Sequence, residues 1–352
     1  MSRQWRIAVV GTGVVGELHV RSMKKLPNCQ LVCVCDLENE KGKKALDKNS
    51  VSVPIYTDLL EMLKKEKLDS VHVCTPSGDH KGPVIAAMER GLNVLVEKPM
   101  EIQPDRIDEM VAVAKKRGVK LAGVFQNRWN EANRALRQAV RENRFGRISW
   151  AGVITPWYRT DQYYEEGGWR GTWKMDGGGA VMNQGVHQVD LMQWIVGPVK
   201  TVSAYASSRI HPKIEVEDTL TCALQFENGA YGTYVSTTGM WPGGPVRIEI
   251  GGEFGTAISE NGLKRFEFKT PLPGDAELLE RLSPAKAKDS GGGKAATDIG
   301  LDLHGKNMLA VYEAWERGEE AETFGPEARK AVAIIQAMYE SARKNGSPVD
   351  VR

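Results

Sequence analysis

The sequence predicts an α/β domain followed by an α+β domain: a doubly wound parallel sheet, then an open and mostly antiparallel one. Three observations carry this. Short β-rich runs alternate with amphipathic stretches through the first 125 residues. A glycine turn, Gly11-Thr12-Gly13-Val14-Val15-Gly16, directly follows the first run. From about Asn127, long β-rich runs succeed one another on short connections. At 352 residues the chain exceeds what a single core usually holds, so two domains are expected, 1–125 and 126–352.

In the first domain, strands are expected at Ile7–Val10, Leu31–Cys35, Val71–Thr75, Val94–Val96 and Lys120–Val124, with a weaker one near Val53–Tyr56. Helical faces lie between them: Val84, Ile85, Ala87 and Met88 on one, Ile107, Met110, Val111 and Ala114 on another. Six such strands with intervening helices match a dinucleotide-binding domain of the Rossmann type. The glycine turn sits where that fold binds a pyrophosphate. Gly11 makes the tight turn, Gly13 lets backbone approach the phosphates, and Gly16 lets helix pack on strand, with Thr12, Val14 and Val15 completing the loop. Asp36 ends the second strand, twenty residues after Gly16. A carboxylate there accepts hydrogen bonds from a ribose diol and repels a 2′-phosphate, so NAD is the expected cofactor.

Two further segments end strands of this domain. One is Thr75-Pro76-Ser77, leading to His80; the other is Glu97-Lys98-Pro99. Open α/β sheets bind ligands at strand C-terminal ends, so Thr75, Pro76, Ser77, His80, Glu97 and Lys98 are assigned to the cofactor site, with His80 capping or orienting its helix. An ammonium at Lys98 is suited to hydrogen-bond a substrate oxygen and stabilise charge on it.

The second domain opens with a helical face of Ala135, Leu136, Ala139 and Val140. Strands are expected at Ser149–Ile154, Val199–Ser207, Thr219–Phe226, Ala230–Thr237, Val246–Ile250 and Gly255–Ser259, with Asn228-Gly229 as a hairpin turn. Helices return at Leu301–Arg317 and Pro326–Lys344; between them and the sheet, Pro271–Thr297, with Gly291-Gly292-Gly293, reads as a mobile loop or arm. The chemical centre is the stretch from Trp169 through Gly177-Gly178-Gly179 to Asp190. On a helix, Asn183 and His187 share a face, and Asp190 lies one turn beyond to orient the imidazole. His187 is the expected proton-transfer group. The rings of Tyr158 and Tyr163 suit a sugar, and serve equally as core or dimer contacts.

Composition narrows the partners. With 41% apolar and 26% charged residues the chain is globular; 47 basic against 45 acidic residues give no electrostatic case for nucleic acid or an anionic membrane. No apolar run has the length of a membrane span or of a signal-peptide core. The cysteines, Cys29, Cys33, Cys35, Cys74 and Cys222, are odd in number and scattered, which argues against a disulfide framework and a zinc site and fits a reducing cytoplasm. The histidines show no ligand spacing, so no metal is expected.

Together, the glycine turn, a Thr-Pro-x-x-x-His segment at Thr75–His80, the Glu97-Lys98-Pro99 tripeptide and a Gly-Gly-Gly-x5-Gly-x-His-x-x-Asp helix resemble the Gfo/Idh/MocA oxidoreductases over nearly the whole chain. The Trp169-Arg170-Gly171-Thr172-Trp173 lead-in and Asn183-Gln184 look most similar to sugar and nucleotide-sugar 3-dehydrogenases. The resemblance implies hydride exchange between a nicotinamide and a ring alcohol of a carbohydrate, at C3. It also implies a homodimer or homotetramer built through the second sheet. By the same resemblance, Lys98 contacts the reacting oxygen and His187 transfers the proton. Trp169 and Arg170 approach the nicotinamide, and Gln126 and Arg128 line the cleft. Many members carry Asp where this chain has Asn183; an amide takes no proton, so Asn183 is assigned to substrate binding. Two other activities occur in such proteins: NAD-cycling cleavage of a glycoside through transient C3 oxidation, and non-catalytic NAD sensing.

Overall fold

A computed structural model describes residues 3–166, 168–285 and 301–352, arranged in two compact units: Met1–Gln126 with Leu301–Val332, and Asn127–Gly300 with Ala333–Arg352. In the first unit, strands β1 (Trp5–Val10), β2 (Cys29–Cys35), β3 (Ile55–Tyr56), β4 (Ser70–Val73), β5 (Asn93–Val96) and β6 (Leu121–Gly123) alternate with helices α1 (Val14–Met23), α2 (Asn39–Lys48), α3 (Leu59–Lys65), α4 (Lys81–Glu89) and α5 (Pro104–Arg117). All pairings are parallel, in the order β3-β2-β1-β4-β5-β6. The order reverses between β1 and β4, and ligands of such sheets bind outside the strand ends at that reversal.

The sheet is covered on both faces, which is why its strands read as continuous apolar runs. Trp5, Ile7 and Val9 of β1 share one core with Val20 and Met23 of α1. That core is completed by Met308, Val311, Tyr312 and Trp315 from the helix Leu301–Glu316. This explains a difference from the sequence expectation: Leu301–Val332, read as part of the second domain, buries its apolar face in the first unit. A boundary drawn along the chain cannot register such a return.

The second unit contains α6 (Glu131–Arg141), β7 (Ile148–Pro156), α7 (Asp161–Glu165), α8 (Val186–Val196), and strands β8 (Val199–Ser207), β9 (Thr219–Phe226), β10 (Tyr231–Thr237), β11 (Arg247–Gly252), β12 (Gly255–Glu260), β13 (Leu263–Phe268) and β14 (Val349–Asp350). Its eight-stranded sheet runs β13-β12-β11-β7-β10-β9-β8-β14, antiparallel except for β7 against β10. Leu220, Cys222, Leu224 and Phe226 point to the covered face, and α8 packs on β7 and α6. On the opposite face Trp150, Ile154 and Tyr231 are exposed, with Tyr231 in register beside Trp150. Strands β13 and β14 lie at the two edges, where few apolar residues are required and sequence patterning is weak. Part of the stretch expected as a loop is instead the helix Asp275–Arg281, whose Asp275 accepts from Nη1 and Nη2 of Arg144; Gly291–Gly293 lie outside the described residues. Among the described residues no helix is long and apolar enough to cross a membrane.

Candidate active site

The glycine turn is built as its sequence requires. Gly11 has φ +85°, a left-handed conformation that favours glycine. A Cβ there would stand 2.6 Å from the carbonyl oxygen of Cys74, so the loop after β1 lies directly against the end of β4. A Cβ on Gly16 would meet the Gly11 oxygen at 1.9 Å, which closes helix onto loop. At Gly13, by contrast, a Cβ would meet nothing within 4 Å. Gly13 is also the N-terminal boundary of α1 and carries no side-chain cap. Open space before uncapped helix amides fits a pyrophosphate.

Asp36 shapes this loop: Thr12 donates its backbone N–H (2.7 Å) and hydroxyl (2.8 Å) to Asp36 Oδ2. The other carboxylate oxygen accepts from the Glu38 N–H at 3.0 Å. Val14 is exposed, Val15 and Asp36 half-buried, Thr12 buried. The donor set and the open glycine are what a dinucleotide needs, with the Asp36 carboxylate suited to a ribose diol.

The loops after β4 and β5 are tied together by His80. Its Nδ1 lies 2.9 Å from the Pro99 oxygen and its Nε2 2.9 Å from the Thr75 oxygen. The ring is 1% exposed, so the assignment of His80 to direct cofactor contact gives way to that of a loop-orienting residue. Thr75 and Pro76 remain half-buried, Ser77 buried. Lys98 leaves β5 half-buried, and its backbone N–H donates to Glu97 Oε2 at 3.1 Å. Glu97 is buried, with Oε1 2.8 Å from His19 Nε2. Burial pushes its pKa up, but the His19 hydrogen bond and the charges of His19, His304 and Lys98 outweigh that and bring it down to about 2. A permanent carboxylate therefore sits beside Lys98. Gln126 closes this unit, buried.

In the second unit, the segment preceding α8 is not α-helical. Ala180–Gly185 forms a π-helical turn, and α8 begins at Val186. The four-residue spacing of Asn183 and His187 therefore does not set a shared α-helical face; a π-turn, a feature frequent at functional sites, separates them. Asn183 is half-buried, and His187 is 8% exposed. Glu217 holds the entry to the turn, accepting from the N–H groups of Gly179 (3.0 Å) and Val181 (2.9 Å) and from the Tyr339 hydroxyl (2.9 Å). Gly179 is required because a Cβ would stand 1.9 Å from the Glu217 carbonyl oxygen. Burial pushes the Glu217 carboxyl above its ordinary range, against those three donors.

Around the turn, Gln184 donates to the Tyr163 hydroxyl at 2.6 Å and accepts from Arg159 at 2.9 Å. The Arg170 guanidinium lies 4.3 Å from the Tyr163 ring centroid and donates to the Tyr163 carbonyl. Tyr158 and Trp169 are half-buried nearby in sequence. One sequence assignment is corrected. Arg128, expected to line the cleft and bind substrate, is fully enclosed and donates through Nε and Nη2 to Asp190 at 2.8 and 2.5 Å. Asp190, expected to orient His187, thus receives a guanidinium. Sequence reading missed Glu217 and Tyr339 and gave no separate role to Asp176 or Gln184. The glycine triplet beside Asp176 was the one local signal, since close backbone approach requires something to approach.

Residues 5–125 match the family profile described as "Oxidoreductase family, NAD-binding Rossmann fold", and residues 133–258 match "GFO/IDH/MocA C-terminal domain". Among solved structures, the WlbA dehydrogenase from Bordetella pertussis, in complex with NADH and UDP-GlcNAcA, is 31% identical with a TM-score of 0.90, covering 99% of this chain and 98% of that one. The WlbA dehydrogenase from Chromobacterium violaceum, with the same ligands, is 34% identical with a TM-score of 0.87, covering 100% and 97%. The D-glucoside 3-dehydrogenase of Escherichia coli K12 is 29% identical over 64% of this chain and 67% of its own length.

Proposed function

This chain belongs to the Gfo/Idh/MocA oxidoreductase family, and we propose that it oxidises a secondary ring hydroxyl, at C3, of a nucleotide-linked sugar. The observation that carries this reading is Lys98, delivered half-buried from the C-terminal end of β5 beside the permanent charge of Glu97. Likeness across the full chain to two dehydrogenases that hold NADH and UDP-GlcNAcA supports a UDP-sugar over a simple glycoside.

NAD, when bound, would supply the acceptor for the hydride of the ring carbon. The chain supplies the rest. Gly13 and the first amides of α1 bind the pyrophosphate, and Asp36, held in place by both donors of Thr12, binds a ribose. Thr75, Pro76, Ser77, Gln126, Trp169 and Arg170 complete the cofactor's surroundings. The Lys98 ammonium donates to the reacting oxygen and stabilises the negative charge that grows there as its proton leaves. His187 accepts that proton. Asn183, Tyr158 and Tyr163 bind the sugar. The exposed Trp150, Ile154 and Tyr231 support docking of a second copy on the open sheet face. All five cysteines are free thiols, which supports a reducing, cytoplasmic compartment.

The test is reduction of NAD, followed by absorbance, over UDP-GlcNAcA, other UDP-sugars, hexosides and inositols. Turnover is expected with UDP-GlcNAcA or a close relative, falling about a thousandfold or more in Lys98→Met and His187→Ala. No turnover across the panel, or a His187→Ala enzyme equal to the native one, refutes the proposal.

A further inference from the structure

Three of the six histidines, His19, His72 and His304, gather within the first unit around Glu97, and the reaction as derived uses none of them. All three are buried, with His19 and His72 at 0% exposure. His19 Nε2 stands 2.8 Å from Glu97 Oε1, and His304 Nε2 stands 3.8 Å from the same oxygen. His19 Nδ1 and His72 Nδ1 are 2.9 Å apart. His72 Nε2 lies 2.7 Å from the Tyr312 hydroxyl, which in turn lies 3.1 Å from the Ser70 hydroxyl. Among the described residues no His, Cys, Asp or Glu group has the arrangement of a metal site, so a different account is needed.

With the fully buried His72 kept neutral, donor and acceptor rules leave this chain two proton arrangements. An ionised carboxylate only accepts, so His19 Nε2 carries a hydrogen. Between the facing Nδ1 atoms there is room for one proton. If it belongs to His72, His19 is neutral, and His72 Nε2 accepts from Tyr312. If it belongs to His19, that ring is an imidazolium, and His72 Nε2–H donates to Tyr312, whose own hydrogen passes to Ser70. The second arrangement holds one proton more than the first. His72 stays neutral in both and changes only its tautomer. In the first, His19 sets no charge against Glu97; in the second, its positive charge offsets that carboxylate and weakens what acts on Lys98.

We propose that His19 and His72 form a buried proton store behind Lys98, in which one proton enters at His19, His72 switches tautomer, and the charge positioning Lys98 through Glu97 changes by one. Groups from every neighbouring element take part. His19 on α1 faces Glu97 after β5, His72 on β4 and, ring to ring at 6.4 Å, His304 on the helix Leu301–Glu316. Tyr312 of that helix and Ser70 of β4 end the relay. Lys98 and Cys74 interact with Glu97 by charge. Burial, and then the charge of His19, hold the His72 pKa well below its ordinary value, which agrees with a ring that relays without charging. These are positioning residues, and their link to turnover rests on the reading of Lys98 given above.

The test is long-range proton–nitrogen NMR of the full-length protein, without substrate, between about pH 5 and 9, where imidazoles titrate. The native protein is expected to show His19 gaining a proton as pH falls while His72 exchanges Nδ1–H for Nε2–H in the same transition. In Tyr312→Phe the charged arrangement leaves the buried His72 Nε2–H without an acceptor, which costs more than the bare ring nitrogen that the neutral arrangement leaves without a donor, so the His19 midpoint moves down by about one pH unit. A single His72 tautomer throughout, or a His19 of constant charge, overturns the proposal whatever the fate of the substrate panel. With an active substrate, the acid limb of kcat in Tyr312→Phe is expected to move down by the same amount. A limb that stays in place while the His19 midpoint moves breaks the link to Lys98.

Discussion

Asn183 donates its side-chain amide to Asp176 across 2.6 Å, and the second oxygen of Asp176 accepts the Gly171 N–H at 2.8 Å. The negative charge absent from position 183 is therefore present one hydrogen bond away, on a residue 1% exposed. The amide oxygen of Asn183 in turn accepts from the Gln184 side-chain amide at 3.3 Å.

Replacing Asn183 with Asp sets two carboxylates at hydrogen-bonding distance, and like charges that close cannot both ionise cheaply. Asn183→Asp is expected to lose about tenfold or more in kcat/KM near neutral pH, and to recover part of it at lower pH, where one carboxyl of the pair is protonated. A pH series of kcat/KM for the two enzymes checks this. Profiles of the same shape count against a role for the Asp176–Asn183 bond.

Arg128 and Asp190 form an ion pair at 0% and 1% side-chain exposure. Removing one partner strands a buried charge, so Arg128→Ala is expected to cost about 3–5 kcal/mol of folding stability. Denaturant unfolding measures it. A variant of native stability with a raised KM would restore the substrate-binding role that burial argues against.

Gly13 and Gly11 separate binding from folding. Gly13→Ala meets open space at an ordinary φ of −62°, so stability should change by less than about 1 kcal/mol while NAD affinity falls about tenfold or more. Gly11→Ala clashes with the Cys74 carbonyl and is expected to destabilise the fold itself. Fluorescence titration with NAD, beside thermal unfolding, distinguishes the two. Equal NAD affinity in Gly13→Ala and the native chain contradicts the phosphate assignment.

Glu97 has a folded pKa lowered from 4.5 to about 2, so its ionised form stabilises the fold above the unfolded value, and that contribution is lost as pH falls toward 2. Glu97→Gln has no such group to protonate. Unfolding free energies measured through the window from about 4.5 to 2 should fall more steeply in the native protein than in the variant. Parallel curves contradict a stabilising charge at Glu97.

What the sequence discloses divides along a physical line. The glycine turn, Asp36, Lys98 and the existence of six strands in the first domain are local: each is set by neighbours in the chain, and the pattern of β1, Gly11–Gly16 and α1 is legible directly. The Asn228-Gly229 hairpin and the antiparallel run β8–β9–β10 are local in the same way. What escaped reading are contacts between distant residues. Tyr339 reaches Glu217 across 122 positions, and Tyr312 reaches His72 across 240. No periodicity encodes these meetings. Arg128 shows the converse: beside Gln126 and Asn127 it reads as a cleft residue, and only Asp190 reveals why it is buried.

The most direct test of the central claim is to follow a UDP-sugar carrying deuterium at C3. If the chain oxidises that carbon, mass spectrometry of the reduced cofactor finds one deuterium per turnover, and His187→Ala slows its appearance by about a thousandfold or more. Reduced cofactor without deuterium, or no reduced cofactor from any UDP-sugar, contradicts the account.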